Sequence, residues 1–599
     1  MANMTSTLRE IASAFEWQPG RGADETWLTP GSSIVLESLE LFADIRSEAY
    51  WAAALLLCVI EKGGSCLPLD QLPLTPEFSR LPAELQQISV SEWSAILMEA
   101  AGQREVRPLV VAHNALYFDR LYRLELDIAE RLVRPLGADA LPEPASWIGI
   151  VNELFGDDAS SPQRQVAASL FTHRCSLLAG GPGSGKTYTV AKTILALYRA
   201  TDNKASIKIC APTGKAAQRV REALLGVVRE LDPTNAAAIA DAIQPTTIHS
   251  LLGISPLSHR RRENEPLHLD FVICDETSMV DLMLLSELLR SLDTSTRLLL
   301  VGDPNQLQSV DVGSVMADLV SAMKHGLPGV TLTTTHRVGG DDMNATDRAR
   351  LLSFFDAIKS EDVDLAIEQL SAGSTILHHV PIHTGFHYDG HDFSPVTRVL
   401  QRAEHLKSLA SGDSNEDIAK ALTDTMVLTA QHHGLLSRTW WVEHVAVSVD
   451  IPLRATPLHA GTPVLITTTD RSIGLTNGDV GLIVREADGS TMFHPFDKSV
   501  LDTDEVAPRH IRPAAITSWQ PWWAMTIHKS QGSEFDHVIV SITPGTRLLS
   551  RELLYTAVTR AKKSVTVIGN LEDIREALKS PAKRYSGLAN AIAQASQGS

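Results

Sequence analysis

Cysteine is scarce in this chain. Its five cysteines in 599 residues (Cys58, Cys66, Cys175, Cys210 and Cys274) show none of the paired spacing of a zinc ribbon or a disulfide scaffold. Two of them sit inside apolar, strand-like runs, so reduced, buried thiols in a cytoplasmic protein are expected. Long apolar stretches are missing as well. The longest, Trp51 to Ile60, is too short to cross a bilayer, and Met1 to Trp17 lacks the apolar centre of a secretion signal. No membrane partner is expected. Positive charge is also in deficit: 53 Lys and Arg against 71 Asp and Glu give −18, which argues against a surface that coats nucleic acid all round. The deficit is uneven, with 11 basic and 21 acidic residues in 1–150, a front segment better suited to docking a protein than to gripping phosphates. What is plentiful is core-forming residue: a hydrophobic fraction of 44% excludes disorder over most of the chain.

From about residue 160 short β-rich runs alternate with helical patterns. Strands are expected at Ser176–Ala179, Ile207–Ala211, Phe271–Cys274, Leu298–Val301, Met426–Thr429, Val538–Ile542 and Val565–Ile568. Most are continuous apolar runs, as in parallel strands covered on both faces. They fall into two groups, before about residue 340 and after about 420, which predicts a doubly wound α/β fold in two domains. Residues 1–115 show helical spacing with Pro and Gly breaks and read as a small, mainly helical domain. The stretch from Gly461 to about 515 is rich in Thr, Val, Gly and Asp, with Asn477-Gly478 as a hairpin signal, and reads as a β insertion. The Ala/Ser/Gln-rich end beyond Ser580 is expected to fray.

Gly180-Gly181-Pro182-Gly183-Ser184-Gly185-Lys186-Thr187 follows an expected strand and precedes an expected helix, the context that gives G-x-x-x-x-G-K-[ST] its meaning. Its glycines let backbone N–H groups curl around phosphate oxygens, and the helix N-terminus adds positive potential. Lys186 is expected to reach the terminal phosphates and Thr187 to bind Mg²⁺. A second strand ends in Asp275-Glu276, where an acidic pair can hold Mg²⁺ (Asp275) and activate water (Glu276). Together these residues imply hydrolysis of ATP.

The remaining motifs resemble those of superfamily 1 helicases, in order and over roughly residues 160–570. Gln163 matches their adenine-reading glutamine and Ala211-Pro-Thr-Gly-Lys-Ala-Ala217 their motif Ia. Thr246-Thr-Ile-His-Ser250, Asp275-Glu-Thr-Ser278, Gly302-Asp-Pro-Asn-Gln-Leu307 and Thr335-His-Arg337 follow, then Thr526-Ile-His-Lys-Ser-Gln531 and Leu554-Tyr-Thr-Ala-Val-Thr-Arg-Ala-Lys562. Pro266-Leu-His-Leu-Asp270, Gly461-Thr-Pro-Val-Leu-Ile-Thr467 and Gly474-Leu-Thr-Asn-Gly-Asp-Val-Gly481 are similar to the RecD family, the alpha subunits of RecBCD-type exodeoxyribonuclease V. The resemblance implies two RecA-like P-loop domains in tandem, 5′→3′ movement on DNA, RecB-like and RecC-like partners, and a role in double-strand-break repair and recombination. It further implies a division into a helical docking domain (1–115), a linker (116–159), a first RecA-like domain (160–345), a helical linking segment (346–420), a second RecA-like domain (421–585) with a small SH3-like insertion near 453–515, and a tail (586–599). Residues 255–268, polar and turn-rich, are expected to form a β-hairpin pin that splits duplex DNA.

Arg337 and Arg560 lie far from the P-loop in sequence, as needed if ATP sits between two domains and a guanidinium stabilises the transferring phosphoryl group. Gln306 and Gln531 are expected to act as sensors linking the terminal phosphate to the strand path. The resemblance places Thr213, Thr246, His249, Thr526, His528 and Lys529 along single-stranded DNA, although each Thr is equally suited to cap a helix or turn. Ser250 stands where RecD-like sequences commonly carry Arg. No acidic nuclease constellation remains once the ATP site is assigned. The histidines 378, 379, 383, 387 and 391 lack companion cysteines and read as a solvated linker, while Trp519, Trp522 and Trp523 read as buried. Trp440-Trp441 has no functional reading. Three other readings stay open: a stand-alone RecD-like helicase, an RNA helicase, and a scaffold that binds ATP without hydrolysing it.

Overall fold

The computed structural model describes residues 6–15, 35, 46–102, 108–136, 144–202, 204–254, 266–334, 344–372, 374–382, 394–411, 415–453, 458–470, 472–496, 510–543, 546, 549–582 and 584–598. Arg337, most of the expected pin (255–265), and His383, His387 and His391 lie outside the described residues. Among the described residues no helix is long and apolar enough to cross a membrane.

Two parallel sheets organise the molecule. The first contains β4 (Cys175–Gly180), β5 (Ile207–Ala211), β6 (Thr246–Thr247), β7 (Phe271–Cys274), β8 (Arg297–Gly302) and β9 (Gly329–Leu332), in the order β6-β5-β7-β8-β4-β9. Its ladders are all parallel, so the C-terminal ends of β4, β7 and β8 share one edge, where ligands bind in open α/β sheets. The apolar runs are continuous because both faces are covered. Leu177, Leu298 and Leu300 point into one core, and Leu178, Leu299 and Val301 into the other. The second sheet contains β10 (Leu377–Pro381), β11 (Thr425–Thr429), β16 (Ala524–Thr526), β17 (Phe535–Ser541) and β18 (Ala561–Gly569), in the order β10-β18-β17-β11-β16, again all parallel. Several helices start where a side chain caps them. Asp281 Oδ1 accepts from the Leu284 amide at 2.8 Å, and Asn344 Oδ1 from the Asp347 amide at 2.8 Å.

Between β11 and β16 in sequence, β12 (Pro463–Ile466), β13 (Val480–Arg485), β14 (Thr491–Phe496) and β15 (Trp519–Pro521) form an antiparallel sheet, β14-β13-β12-β15, in the region read as an insertion. Its pleat divides it: Val480, Leu482 and Val484 face the second lobe's core, whereas Ile483 and Phe493 face the insertion's own.

Several expectations need correction. The front segment is not helical alone: β1 (Leu67–Pro68), β2 (Leu109–Ala112) and β3 (Ala115–Phe118) form a small antiparallel sheet that crosses the expected boundary at 115. The expected linker 116–159 holds the helices Asp119–Val133 and Pro144–Phe155, because Leu124, Ile128 and Leu132 belong to one first-lobe core and Trp147 and Val151 to the other. The linking segment 346–420 belongs to the second lobe, since Leu351, Phe354, Leu370 and Leu406 fill its core and β10 pairs with β18. The expected tail is the helix Leu588–Gly598. Leu588 and Ile592 are fully buried against the first lobe, so the chain's end closes the domain its middle began. Trp522 and Trp523 are buried as expected, whereas Trp519 is only half-buried at the edge of the insertion's core, and all five cysteines are buried thiols outside any disulfide. Trp441 is a core residue whose Nε1 donates to Ser541 Oγ at 2.9 Å.

Candidate nucleotide and strand site between the lobes

Gly180 ends β4 and Lys186 opens the helix Lys186–Ala200, so the loop between them sits at the sheet's binding edge. Gly183 and Gly185 take φ of 72° and 86°, a left-handed backbone that side chains resist, and this curls the loop's N–H groups inward. Ser184 Oγ donates to the Gly181 carbonyl at 2.8 Å. Lys186 Nζ donates to the carbonyls of Gly180 (2.7 Å) and Gly181 (2.9 Å), which holds its ammonium at the mouth of the loop.

Asp275 follows β7, and burial, with the charge of Glu276 second, pushes its carboxyl up to about 6. Lys186 and Arg219 counter that effect. A buried carboxylate that resists ionisation is relieved by a cation, and the Thr187 hydroxyl and Asp275 carboxylate are the hard oxygens Mg²⁺ takes, so the donor set fits that ion. Glu276 holds φ 52°, ψ 41°, strained for a non-glycine residue, and it sets the side chain off the strand's line into the cavity.

The second lobe meets this edge. A cavity of about 1340 Å³ is lined by Lys186, Thr187, Asp275, Glu276 and Gln306 from the first lobe and by Arg560 from the second. Arg560, 3% exposed, donates from Nη2 to Gln306 Oε1 (2.5 Å), from Nε to the Thr556 carbonyl (3.1 Å) and from Nη1 to the Ser533 carbonyl (3.4 Å). Burial lowers its pKa, and the charge of Glu276 opposes that shift. Gln306 Nε2 in turn donates to Asp303 Oδ2 at 3.2 Å. Gln531 Nε2 donates to the Leu307 carbonyl at 2.8 Å, while the Leu307 amide donates to Thr556 Oγ1 at 2.8 Å. The expected sensors are thus joined in one buried chain between the lobes. Gln163 stands at the first turn of the helix Pro162–Thr172, where its Oε1 accepts from Ser161 Oγ at 3.1 Å.

The residues expected along a strand divide. Thr246 lines the cavity and His249 is exposed on the helix Ile248–Leu251, both on the first lobe. His528 and Lys529 are exposed on the turn after β16 of the second, with Lys529 Nζ donating to Gln520 Oε1 at 3.1 Å. Thr213 caps the helix Gly214–Leu231, its Oγ1 accepting from the Ala216 amide at 3.2 Å. Thr526, at the end of β16, is 4% exposed, so unlike the others it offers little surface in this structure.

Sequence reading missed four contributors. Arg219 pairs with Glu534 across the lobes, and Lys215 Nζ lies 5.1 Å from the Trp522 ring, its pKa lowered to about 8 chiefly by burial. Those partners lie some three hundred residues apart, and no local pattern links them. Tyr555 hydrogen-bonds the buried Asp303, with its hydroxyl close to Gly181, and Thr556 anchors Leu307. Thr556 was findable, standing four residues before Arg560, the spacing that sets side chains on one face of a helical segment.

Comparisons with known proteins agree with this arrangement. An AAA domain model matches residues 163–312 and a UvrD-like helicase C-terminal domain model residues 521–568. The RecBCD enzyme subunit RecD of Mycolicibacterium smegmatis is 33% identical, covering 94% of this chain and 97% of its own length. That of Haemophilus influenzae is 30% identical over 85% of this chain and 84% of its own. The ATP-dependent RecD2 DNA helicase of Deinococcus radiodurans is 27% identical, over 90% of this chain and 67% of its own.

Proposed function

The chain belongs to the RecD family of helicases, and on that premise we propose that it is an ATP-dependent, 5′→3′ DNA helicase subunit of a RecBCD-type helicase–nuclease. In this reading it works in the cytoplasm beside RecB-like and RecC-like chains, opens duplex ends for repair and recombination, and leaves strand cutting to a partner. The observation that carries it is that the P-loop and Arg560 face one cavity between two lobes.

The loop amides of 181–187 and the N-terminus of the helix Lys186–Ala200 bind the ATP phosphates. Lys186, poised at the loop mouth, turns from the Gly180 and Gly181 carbonyls to the terminal phosphates. Thr187 and Asp275 would hold Mg²⁺, which when bound neutralises charge on the phosphate oxygens. Glu276 accepts the proton of the attacking water at its carboxylate. Arg560 offers a guanidinium to the charge that develops on the transferring group. Departure of the terminal phosphate removes what both lobes grip, and the Arg560–Gln306 and Gln531–Leu307 contacts pass that loss to the second lobe. Thr246 and His249 on one lobe, with Thr213 at the helix start beside them, and His528 and Lys529 on the other then take turns on the strand. The antiparallel sheet, SH3-like in this reading, abuts the same path, its Gly478 lying 3.7 Å from Lys215 Cβ when given a Cβ.

Purified protein should displace strands from 5′-tailed but not 3′-tailed duplexes, and Lys186→Gln should abolish turnover while leaving the fold intact. Unwinding of 3′-tailed substrate alone, or near-normal turnover in Lys186→Gln, counts against the proposal. A pull-down from native cells should recover two large companion chains. Recovery alone supports a stand-alone RecD-like helicase instead.

A further inference from the structure

On the antiparallel sheet two histidines share one carboxylate oxygen. His494 Nε2 and His510 Nδ1 each lie 2.8 Å from Glu486 Oε1, and the rings sit 4.2 Å apart, inclined at 43°. The backbone makes this convergence. Phe493 and Ile511 exchange both backbone hydrogen bonds (2.7 and 3.1 Å), so their neighbours His494 and His510 stand opposite each other on the other face of the pleat. Leu482 pairs with His494, and period two along the strand carries Glu486 to that same face. Glu486 is held in turn by the tight turn 486–490, its amide donating to the Ser490 carbonyl at 2.8 Å. Its carboxyl is kept below the ordinary range, first by the hydrogen bond with His494.

We propose that Glu486, His494 and His510 form a binding site for one divalent ion of the zinc class. Two imidazole nitrogens and a carboxylate are a transition-metal donor set, not one for Mg²⁺ or Ca²⁺, which take oxygens. The three donor atoms lie within 4.8 Å of one another, and among the described residues this is the one group of His, Cys, Asp or Glu so arranged. Tetrahedral coordination at about 2.1 Å sets ligand atoms roughly 3.4 Å apart, so the 2.8 Å contacts need open only slightly, a small side-chain rotation. Water would complete the shell. Such an ion staples the end of β13 to β14 and to the backbone at Ile511, which bridges Phe493. His494 lies on the rim of the interlobe cavity, and the Arg485 amide donates to the Ala410 carbonyl of the second lobe at 2.8 Å, so the staple stiffens the sheet where it leans on that lobe.

Metal-free, tag-free full-length protein titrated with Co²⁺ tests this. One saturable equivalent with d–d absorption bands, displaced by Zn²⁺, is the expected result. Co²⁺ affinity should fall by at least about tenfold in His494→Ala and in His510→Ala, and also in the near-isosteric Glu486→Gln, which keeps the volume of the site. A His378→Ala/His379→Ala control should bind as wild type does. Metal-free melting curves matching wild type establish that the variants fold. Absence of a saturable equivalent, or wild-type stoichiometry and affinity in the His494→Ala/His510→Ala double variant, would overturn the proposal and leave the trio as a hydrogen-bonded cluster only.

Discussion

Arg560→Ala offers the sharpest test of the motor. Its guanidinium is 3% exposed and donates to three acceptors, and of these only Gln306 Oε1 belongs to the first lobe. Removing it leaves that amide oxygen buried without this donor, a loss of about 1–3 kcal/mol in stability. The loss in transition-state stabilisation is larger: a guanidinium at a transferring phosphoryl group is worth about 10³–10⁵ in rate, or roughly 4–7 kcal/mol. The two effects therefore separate by assay. At saturating ATP and single-stranded DNA, kcat should fall by about a thousandfold or more. The Kd for a fluorescent ATP analogue should move by less than about tenfold, since phosphate binding rests mainly on the P-loop. Arg560→Lys should resemble the alanine variant more than wild type, because one ammonium cannot reach acceptors spread around a planar fork. A folded Arg560→Ala protein that keeps kcat within tenfold of wild type, or whose whole defect lies in nucleotide affinity, would refute the assignment.

Other consequences are as direct. Arg219→Ala and Glu534→Ala should prove coupled in a double-mutant cycle on DNA-stimulated kcat/KM, by about 0.5–3 kcal/mol; strict additivity would remove the pair from the coupling path. Asp318 is pushed up to about 8, first by burial, and its Oδ2 lies shut away from water with no hydrogen-bond partner among the described residues. A carboxyl raised on folding weakens the fold as pH climbs from its unfolded value, about 4, to its folded one, so Asp318→Asn should raise the melting temperature at pH 8, with the gain shrinking towards pH 4. An equal gain at both pH values would show that ionisation is not the cause. Deleting residues 588–599 should lower the first lobe's melting temperature, because Leu588 and Ile592 are wholly buried there; an unchanged transition would mean that the terminal helix adds nothing.

Legibility followed distance along the chain. The P-loop and Asp275-Glu276 were readable because their chemistry is local: glycines, one lysine and an acidic pair, each beside a strand whose apolar run declares burial on both faces. The seven expected strands all lie within observed ones to within a residue, for the same reason. The front sheet was missed because β1 has only two residues and β2 and β3 only four each, too few for alternation to register. The helix Leu588–Gly598 looked like a fraying tail because Ala, Ser and Gln dominate it, yet two large residues four apart are enough to seat it on Leu124 and Ile128. β10 was hidden by His378-His379, which read as solvated linker but pair along β18. The motif position of Thr526 points to a strand contact, but the burial of β16, which leaves Thr526 4% exposed, is a property of packing that no motif reveals.

Coupling between the lobes converges on one short loop. Gly302-Asp-Pro-Asn-Gln-Leu307 leaves β8 at the edge that carries the P-loop, and beyond the β8 ladder four of its buried polar contacts are with the second lobe. Tyr555 holds Asp303, Arg560 donates to Gln306, Thr556 accepts from the Leu307 amide and Gln531 donates to the Leu307 carbonyl. Three of those four donors and acceptors come from the single helix Arg551–Val558 and the turn just after it, a rigid element that cannot release one contact without straining the others. In the proposed cycle, a shift at Gln306 on loss of a phosphate would pass through these contacts to the helix, and from it to β17 and β18, which share its core. Interfaces built this way hold two discrete arrangements better than a continuum, which is what stepwise movement along a strand requires.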